Sequence, residues 1–373
     1  MKHQRVIKLG IAGASSRGAA FRQSIESLGL FKVQAVCDIR EETLETTRVA
    51  FDAPEKYVSY DEMIAHADIE AVLIGTPMPF HAPQAIGALK RDIHVLCEVP
   101  AAVSIEEARQ LAAACQSSSA LYMMGENYTF TRPNMLIRAL VQQGLFGETY
   151  YAEGEYLHEL KQLFEETPWR RDWQVGRAGV TYGTHSLGPI LQWMPGDRVV
   201  AVMAAGSGQR HRDLRGAHYE QDASSVMLCK TAKGALIKIR MDIISDRPHA
   251  MTNYSLQGLD GCYESARAEG ERNRIWLRAR YPSPTRWENL EALEADYLPE
   301  VWRTYGSIAH NVSHGGGDFF ELLHFYQAVT GQEPLTLGIH EALDMTLPGL
   351  ISQQSIEQGG IWLDVPDSRA WLS

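Results

Sequence analysis

The sequence predicts an α/β fold: an N-terminal doubly wound parallel sheet, followed by a C-terminal α+β domain with a largely antiparallel sheet. Three observations carry this. Short apolar runs alternate with helical patterns through the first third of the chain. A glycine-rich turn joins the first run to the first helical pattern. After about residue 125 the texture changes to longer polar segments and runs in which apolar and polar residues alternate. Strand–helix alternation with short links builds a parallel sheet covered on both faces, whereas period-two runs build antiparallel strands.

The strands expected in the first part are Val6 to Ala12, Lys32 to Cys37, Ala71 to Gly75, Ile93 to Glu98 and Leu121 to Met124. Phe21, Ile25 and Leu28 share the face of one intervening helix. Pro83 suits the start of another, with Ile86 and Leu89 inward. Ser104 and Glu107 form a capping box before Ala108, Leu111, Ala112 and Cys115. Beyond the boundary, Val226 to Leu228, Gly234 to Met241 and Arg274 to Arg280 read as antiparallel strands. In the last, Arg274, Trp276, Arg278 and Arg280 share one face, and Ile275, Leu277 and Ala279 the other. Two helices close the chain. Phe319, Leu322, Leu323, Tyr326 and Val329 line the first, which stops at Gly331; the second runs from Ile339 to Ile356, bent at Pro348. The expected domains are 1–125 and 126–373, crossing near Gly125.

Composition narrows the class. The chain has 373 residues, 45% hydrophobic and 22% charged, with 35 basic against 46 acidic residues and a net charge of −11. That balance argues against nucleic acid as a partner, since phosphate binding needs clustered Lys and Arg. No apolar run is long enough to span a bilayer, so no membrane partner is expected. The five cysteines form no C-x-x-C and read as reduced structural thiols. With no signal-peptide pattern at the N-terminus, the expected location is cytoplasmic. No His, Asp and Glu spacing makes a convincing metal site.

The glycine turn is Gly10-Ile11-Ala12-Gly13-Ala14-Ser15-Ser16-Arg17-Gly18. The dinucleotide fingerprint places glycine at its first, third and sixth positions. Gly13 and Gly18 fit, and Ser15 takes the middle position, where its hydroxyl can donate to a phosphate. The strand–loop–helix context puts the pyrophosphate at the helix N-terminus, beside Ser16 and Arg17. Asp38 ends the next strand. A carboxylate there accepts from ribose hydroxyls and repels a 2′-phosphate, which makes the expected cofactor NAD; Arg40 works the other way, toward NADP. The first domain is thus a Rossmann domain.

Two further segments, Gly75-Thr76-Pro77-Met78-Pro79-Phe80-His81 and Glu98-Val99-Pro100, sharpen the reading. Here the sequence resembles the Gfo/Idh/MocA oxidoreductases, whose cofactor domain carries T-P-x-x-x-H and E-K-P. The resemblance runs over nearly the whole chain. It implies that Thr76, Pro77, His81 and Glu98 line the nicotinamide pocket, although His81 can equally cap its helix. The lysine of E-K-P is replaced by Val99. On a later helix His185 matches the family's catalytic histidine, but the aspartate four residues earlier is Thr181. Tyr182 stands three residues before His185, on the same face if both are helical.

That double loss resembles one branch, the NAD-dependent α-N-acetylgalactosaminidases. Its E-V-P-A, E-N, Y-x-H, Y-x-T-H-x-L-G-P and H-G-G-x-D-F segments correspond to Glu98 to Ala101, Glu126-Asn127, Tyr156 to His158, Tyr182 to Pro189 and His314 to Phe319. Asn127 joins the expected cofactor set. The resemblance implies this chemistry: hydride leaves carbon 3 of a sugar for NAD⁺, the ketone acidifies carbon 2, the group at carbon 1 leaves, water adds, and the hydride returns. His185 and Tyr182 are the candidates for the redox and proton steps, Glu126 or Tyr156 for the leaving group. The expected substrate is a sugar or glycoside. The alternative is a net NAD(P)-dependent sugar dehydrogenase.

His211 and His218 fall in a polar, arginine-rich stretch that reads as a solvated loop. Arg267, Arg272, Arg274, Arg278, Arg280 and Arg286 read as a solvated face or an anionic-ligand site. Trp169-Arg170 could line a sugar pocket. The resemblance implies a homo-oligomer formed through the second sheet, and Trp276 on its arginine-rich face adds support, because Trp and Arg are enriched at interfaces.

Overall fold

The computed structural model describes residues 5–173, 178–248 and 250–372. It falls into two compact units: residues 1–130, 305–343 and 368–373, and residues 131–304 with 344–367. The sequence reading places everything after 125 in one domain. The structure instead returns residues 305–343 to the first unit, because the helix Gly317–Val329 is buried on nearly every side and packs on the helix Arg22–Leu28 and the turn Asn127–Phe130.

The first unit contains a parallel sheet of six strands, β1 (Ile7–Ala12), β2 (Phe31–Cys37), β3 (Glu55–Tyr57), β4 (Ala71–Ile74), β5 (His94–Glu98) and β6 (Tyr122–Gly125). Their order is β3-β2-β1-β4-β5-β6. All but β3 were expected; Glu55–Tyr57 carries too little apolar character to read as a strand. Ile7, Leu9, Ile11, Val72 and Val95 are fully buried, and each such side chain contributes roughly 1.5–3 kcal/mol. The strand order reverses between β1 and β4, and ligands of such sheets bind outside the strand ends at that point. The glycine loop follows β1 and Thr76 follows β4, so both lie there.

Local chemistry explains the helices. The Ser104 hydroxyl accepts from the Glu107 amide at 3.2 Å, while the Glu107 carboxylate reaches back to the Val103 amide at 3.0 Å, one residue before its expected partner. The helix bearing Pro83 starts at His81 and buries Ala82, Ala85, Ala88 and Leu89; Ile86 is only half-buried.

The second unit holds a nine-stranded sheet. Its strands are β7 (Thr149–Leu157), β8 (Val199–Gly206), β9 (Ser225–Thr231), β10 (Leu236–Asp242), β11 (Met251–Gly258), β12 (Gly261–Glu264), β13 (Arg274–Leu277), β14 (Glu288–Asn289) and β15 (Leu363–Asp364). The order is β14-β13-β12-β11-β7-β10-β9-β8-β15. Among the described residues only β7 and β10 of this sheet pair in parallel. Trp193 anchors the core between the rings of Tyr254 and Tyr263 and donates its indole N–H to the Asn134 carbonyl at 3.1 Å.

One expectation fails here. β13 ends at Leu277, and the chain turns back over Trp276. The Trp276 indole donates to the Tyr281 carbonyl at 2.9 Å, the Arg278 guanidinium covers its ring, and the residue is 8% exposed. Its own chain buries it, so Trp276 gives no support to an oligomer. The cysteines are all free, and burial pushes the Cys37 thiol up to about 12.

Candidate functional site

The glycine loop in the first unit is shaped by close backbone approaches. Gly13 has φ +71°, and a Cβ there would lie 2.4 Å from the Gly75 carbonyl oxygen. A Cβ on Gly18 would meet the Gly13 oxygen at 2.9 Å. The Gly13 and Ala14 amides both donate to the Cys37 carbonyl, tying the loop to the end of β2. Asp38, next along, accepts from the Ser15 amide at 3.0 Å and from the amide and guanidinium of Arg40 at 3.0 and 3.1 Å. Arg40 is therefore folded onto Asp38 and not held out as a site for a 2′-phosphate.

The expected cofactor residues of these segments differ in their immediate surroundings. The Ser15 hydroxyl lies 2.9 Å from that of Thr47. Ser16 is exposed, at the start of a 3₁₀ turn, Arg17–Phe21, that precedes the α-helix. Arg17 makes three hydrogen bonds to carboxylates: Nε donates to Glu98 at 2.7 Å, and Nη1 and Nη2 each donate to Asp318 at 2.8 Å. These tie the loop to both carboxylates and use three of the five guanidinium N–H groups. Thr76 bonds to Gln84 at 2.6 Å. Pro77 precedes the short turn Met78–Phe80. The buried His81 ring bridges the Thr76 and Pro100 carbonyls at 2.8 and 2.9 Å, joining the two segments the resemblance assigns to one pocket.

Asp318 was missed as a site residue, although its H-G-G-x-D-F segment was noted. It is fully buried. Oδ1 accepts from Arg17 and from Asn127 Nδ2, both at 2.8 Å; Oδ2 accepts from Arg17 and lies 3.0 Å from His314 Nδ1. Burial pushes its carboxyl up, but the charge and hydrogen bonds of Arg17, with His314, hold it well below the usual carboxylate range. Glu321, one turn on, behaves in the opposite way. Burial first, then the charges of Asp318 and Glu98, push its carboxyl well above the usual range. Glu126 is also fully buried, with the Thr129 hydroxyl 3.4 Å away.

The second unit assembles four rings. Gly154 on β7 has no side chain, and a Cβ there would lie 2.9 Å from the Ser186 carbonyl. The helix Thr184–Gln192 therefore settles directly on the strand, bringing His185 beside Tyr156. Tyr182 is not on that helix, as the three-residue spacing suggests, but in the turn before it. That turn is pinned where the Val180 amide donates to Ser352 at 2.9 Å. His185 Nε2 nevertheless lies 3.3 Å from the Tyr182 hydroxyl, and Tyr156 lies 3.1 Å from His158 Nδ1. The ring centroids of Tyr156 are 5.3–5.8 Å from those of His185, Tyr182 and His158. The Tyr254 hydroxyl donates to the His185 carbonyl at 2.5 Å, fixing the first turn of the helix. His158 and Tyr254 were not among the predicted catalytic set; for Tyr254 the signal lies in strand register, invisible along the chain. Trp169 stacks with its neighbour Arg170.

Among the described residues no cluster of His, Cys, Asp or Glu could hold a metal, and no helix is long and apolar enough to cross a membrane. The NAD reading can be tested on the loop itself. The absence of room for a Cβ at Gly13 and Gly18, and a buried carboxylate at the end of β2, fit a dinucleotide.

Comparison with known proteins agrees. Residues 7–126 match the oxidoreductase family with an NAD-binding Rossmann fold, so the first unit carries an NAD-binding domain of an enzyme in that family. Residues 130–371 match the C-terminal domain of glycosyl hydrolase 109, and the chain belongs to that family. A glycosyl hydrolase family 109 protein of Shewanella pealeana is 28% identical over 393 residues, covering 97% of this chain and 85% of that protein. An alpha-N-acetylgalactosaminidase of Shewanella oneidensis is 28% identical over 395 residues, with the same coverage. Among solved structures, the WlbA dehydrogenase of Bordetella pertussis, in complex with NADH and UDP-GlcNAcA, superposes with a TM-score of 0.78 at 19% identity, covering 97% of this chain and 98% of that one. Levoglucosan dehydrogenase with NADH and levoglucosan gives 0.79 at 18%, covering 97% and 100%. At those identities the likeness concerns the fold.

Proposed function

We propose that the chain is a glycoside hydrolase that keeps NAD bound and cleaves an N-acetyl-α-galactosaminide or a related glycoside by oxidation, elimination, hydration and reduction. The loop Gly13 to Gly18 would hold the pyrophosphate and Asp38 the adenosine ribose. Thr76, Pro77, His81, Glu98 and Asn127 would surround the nicotinamide half, with Arg17 bracing the loop. NAD, when bound, supplies a hydride acceptor whose reduced form returns the hydride, so none is consumed.

The observation that carries this reading is the pair of phenol–imidazole contacts, Tyr182 with His185 and Tyr156 with His158. Net dehydrogenation needs one proton-transfer group, at the carbinol oxygen. Elimination and hydration need a second, at carbon 2 and the leaving oxygen. The Tyr182 hydroxyl passes the carbinol proton to His185. The Tyr156–His158 pair takes the carbon-2 proton and protonates the leaving oxygen.

The test is to incubate purified protein with p-nitrophenyl N-acetyl-α-galactosaminide, with no added cofactor, following p-nitrophenol release and absorbance at 340 nm together. Steady release without NADH accumulation supports the reading. In a parallel incubation with added NAD⁺ and free sugar, accumulation of NADH together with no glycoside cleavage in the first would instead establish a net sugar dehydrogenase.

A further inference from the structure

The first unit contains a histidine that the scheme above does not use. His314 lies just before the helix Gly317–Val329, with left-handed backbone angles of φ 54° and ψ 41°. Gly315 and Gly316 follow at φ 59° and 91°. Left-handed residues other than glycine are uncommon, and histidine is among the few that enter that region with any frequency. The turn aims the His314 ring back at Asp318, four residues on, with Nδ1 at 3.0 Å from Oδ2. The Ser313 hydroxyl lies 2.8 Å from the same nitrogen, and the Tyr128 ring meets the imidazole edge-on at 6.2 Å.

The bonding at Asp318 decides the tautomer. Two hydrogen bonds from Arg17 and one from Asn127 fill three of its acceptor positions, and His314 Nδ1 faces the fourth. A carboxylate so bonded is ionised and can only accept. Nδ1 must therefore carry a hydrogen, and the neutral ring keeps its lone pair on Nε2. Among the described residues Nε2 takes no hydrogen bond, and the His314 side chain remains 31% exposed. A buried carboxylate that fixes the tautomer of a partly exposed histidine is the arrangement by which a carboxylate makes an imidazole a base. Arg17 ties the dyad to the glycine loop, on the side of the molecule proposed to hold NAD.

We infer that His314 is a second acid–base histidine of this enzyme, taking an alcohol hydroxyl on Nε2, with Asp318 as its positioning residue. The hydroxyl belongs either to the sugar or to a ribose of the cofactor, and the inference rests on the NAD-bound reading. In the forward step the hydroxyl O–H breaks, its proton forms Nε2–H, and the electron pair stays on oxygen. The imidazolium, its charge balanced by Asp318, returns the proton in the reverse step.

The test compares the wild type with His314→Ala and His314→Gln, all purified at equal NAD loading. Nitrogen-15 NMR of the wild type, with the His314 signals identified by their loss in His314→Gln, should show the Nδ1–H tautomer. The Nε2 resonance should differ between NAD-free and NAD-loaded wild type if the hydroxyl is a ribose's, or move only on adding N-acetylgalactosamine to the loaded protein if it is the sugar's. For p-nitrophenyl N-acetyl-α-galactosaminide, His314→Ala should turn over about 10²-fold more slowly or worse, and added imidazole should restore part of the rate. An Nε2–H tautomer, an Nε2 signal indifferent to both ligands, unchanged turnover, or a loss that imidazole does not relieve would each overturn it. The NMR readouts need no turnover, so a wild type that cleaves no glycoside would sink the proposed function while the dyad stood or fell separately.

Discussion

The two units hold their histidines by opposite means. In the first, His314 is fixed by ions: a fully buried carboxylate takes bonds from Arg17, Asn127 and His314, and Arg17 is itself bridged to Glu98. In the second, His185 is fixed by rings and by a strand thinned at Gly154, with a phenol as its hydrogen-bond partner. The difference concerns what each site can tolerate. Removing one ion from a buried ionic network strands another charge, which threatens the fold. Removing one ring's polar atom from an aromatic cluster leaves the packing intact, so chemistry is lost before stability.

The sharpest test of that contrast is His185→Ala, expected to lower glycoside turnover by about 10²–10⁴-fold while urea unfolding changes little relative to its effect on rate. Tyr182→Phe should cost at least about tenfold. If either variant unfolds before it loses activity, the aromatic cluster is structural and the comparison fails.

Asp318→Asn should show the reverse, a loss of up to roughly 3–5 kcal/mol in unfolding free energy, since the buried Arg17 exchanges one of its two ionised partners for a neutral one and keeps Glu98. Its pH dependence has a defined sign. A carboxyl held below its unfolded value stabilises the fold above the ordinary carboxylate range, and that contribution fades as the medium is acidified below it. The wild-type advantage over Asp318→Asn should therefore shrink below about pH 4, the ordinary carboxylate range. A gap that stays constant into strong acid would show that the charge of Asp318 is not what matters.

Asp38→Ala should weaken NAD binding by about 1.5–3 kcal/mol, the usual worth of a hydrogen bond to a charged group, and weaken NADP less. Calorimetric titration of both cofactors checks this. If the wild type already prefers NADP, Arg40 governs the pocket despite its bond to Asp38.

The smallest effect is expected at Glu321, whose carboxyl is pushed upward, mainly by burial. An acid held above its unfolded value costs stability increasingly as pH rises past the ordinary carboxylate range. Glu321→Gln should thus unfold at a higher temperature than wild type near neutral pH, with the difference vanishing near pH 4. A neutral-pH loss would mean that Glu321 is ionised in the fold and paired.

Much of the first unit was legible because a parallel sheet buried on both faces writes itself as short apolar runs, and Leu9, Val33, Val72 and Val95 are apolar for that reason. The loop at Gly13 was legible because only glycine fits 2.4 Å from the Gly75 oxygen. β3 was not, since Glu55–Tyr57 pairs only with β2 at the sheet edge and buries little. On the site, Tyr182 and His185 were paired for an incomplete reason: helical spacing suggested it, and a turn pinned by Ser352 achieved it.

Local composition thus settled what each segment is: which runs are strands, where the chain must bend, and that Asp38 ends a strand. Those properties depend on backbone geometry and nearest neighbours, which a linear pattern records. Partnership was settled only in three dimensions. Nothing near Arg17 announces that Asp318, 301 residues later, will claim its guanidinium. Nor does the arginine-rich face around Trp276 announce that its own chain will turn back to cover it. Both outcomes come from long-range burial, where a side chain's role follows from which distant polar atoms must be satisfied once water is excluded.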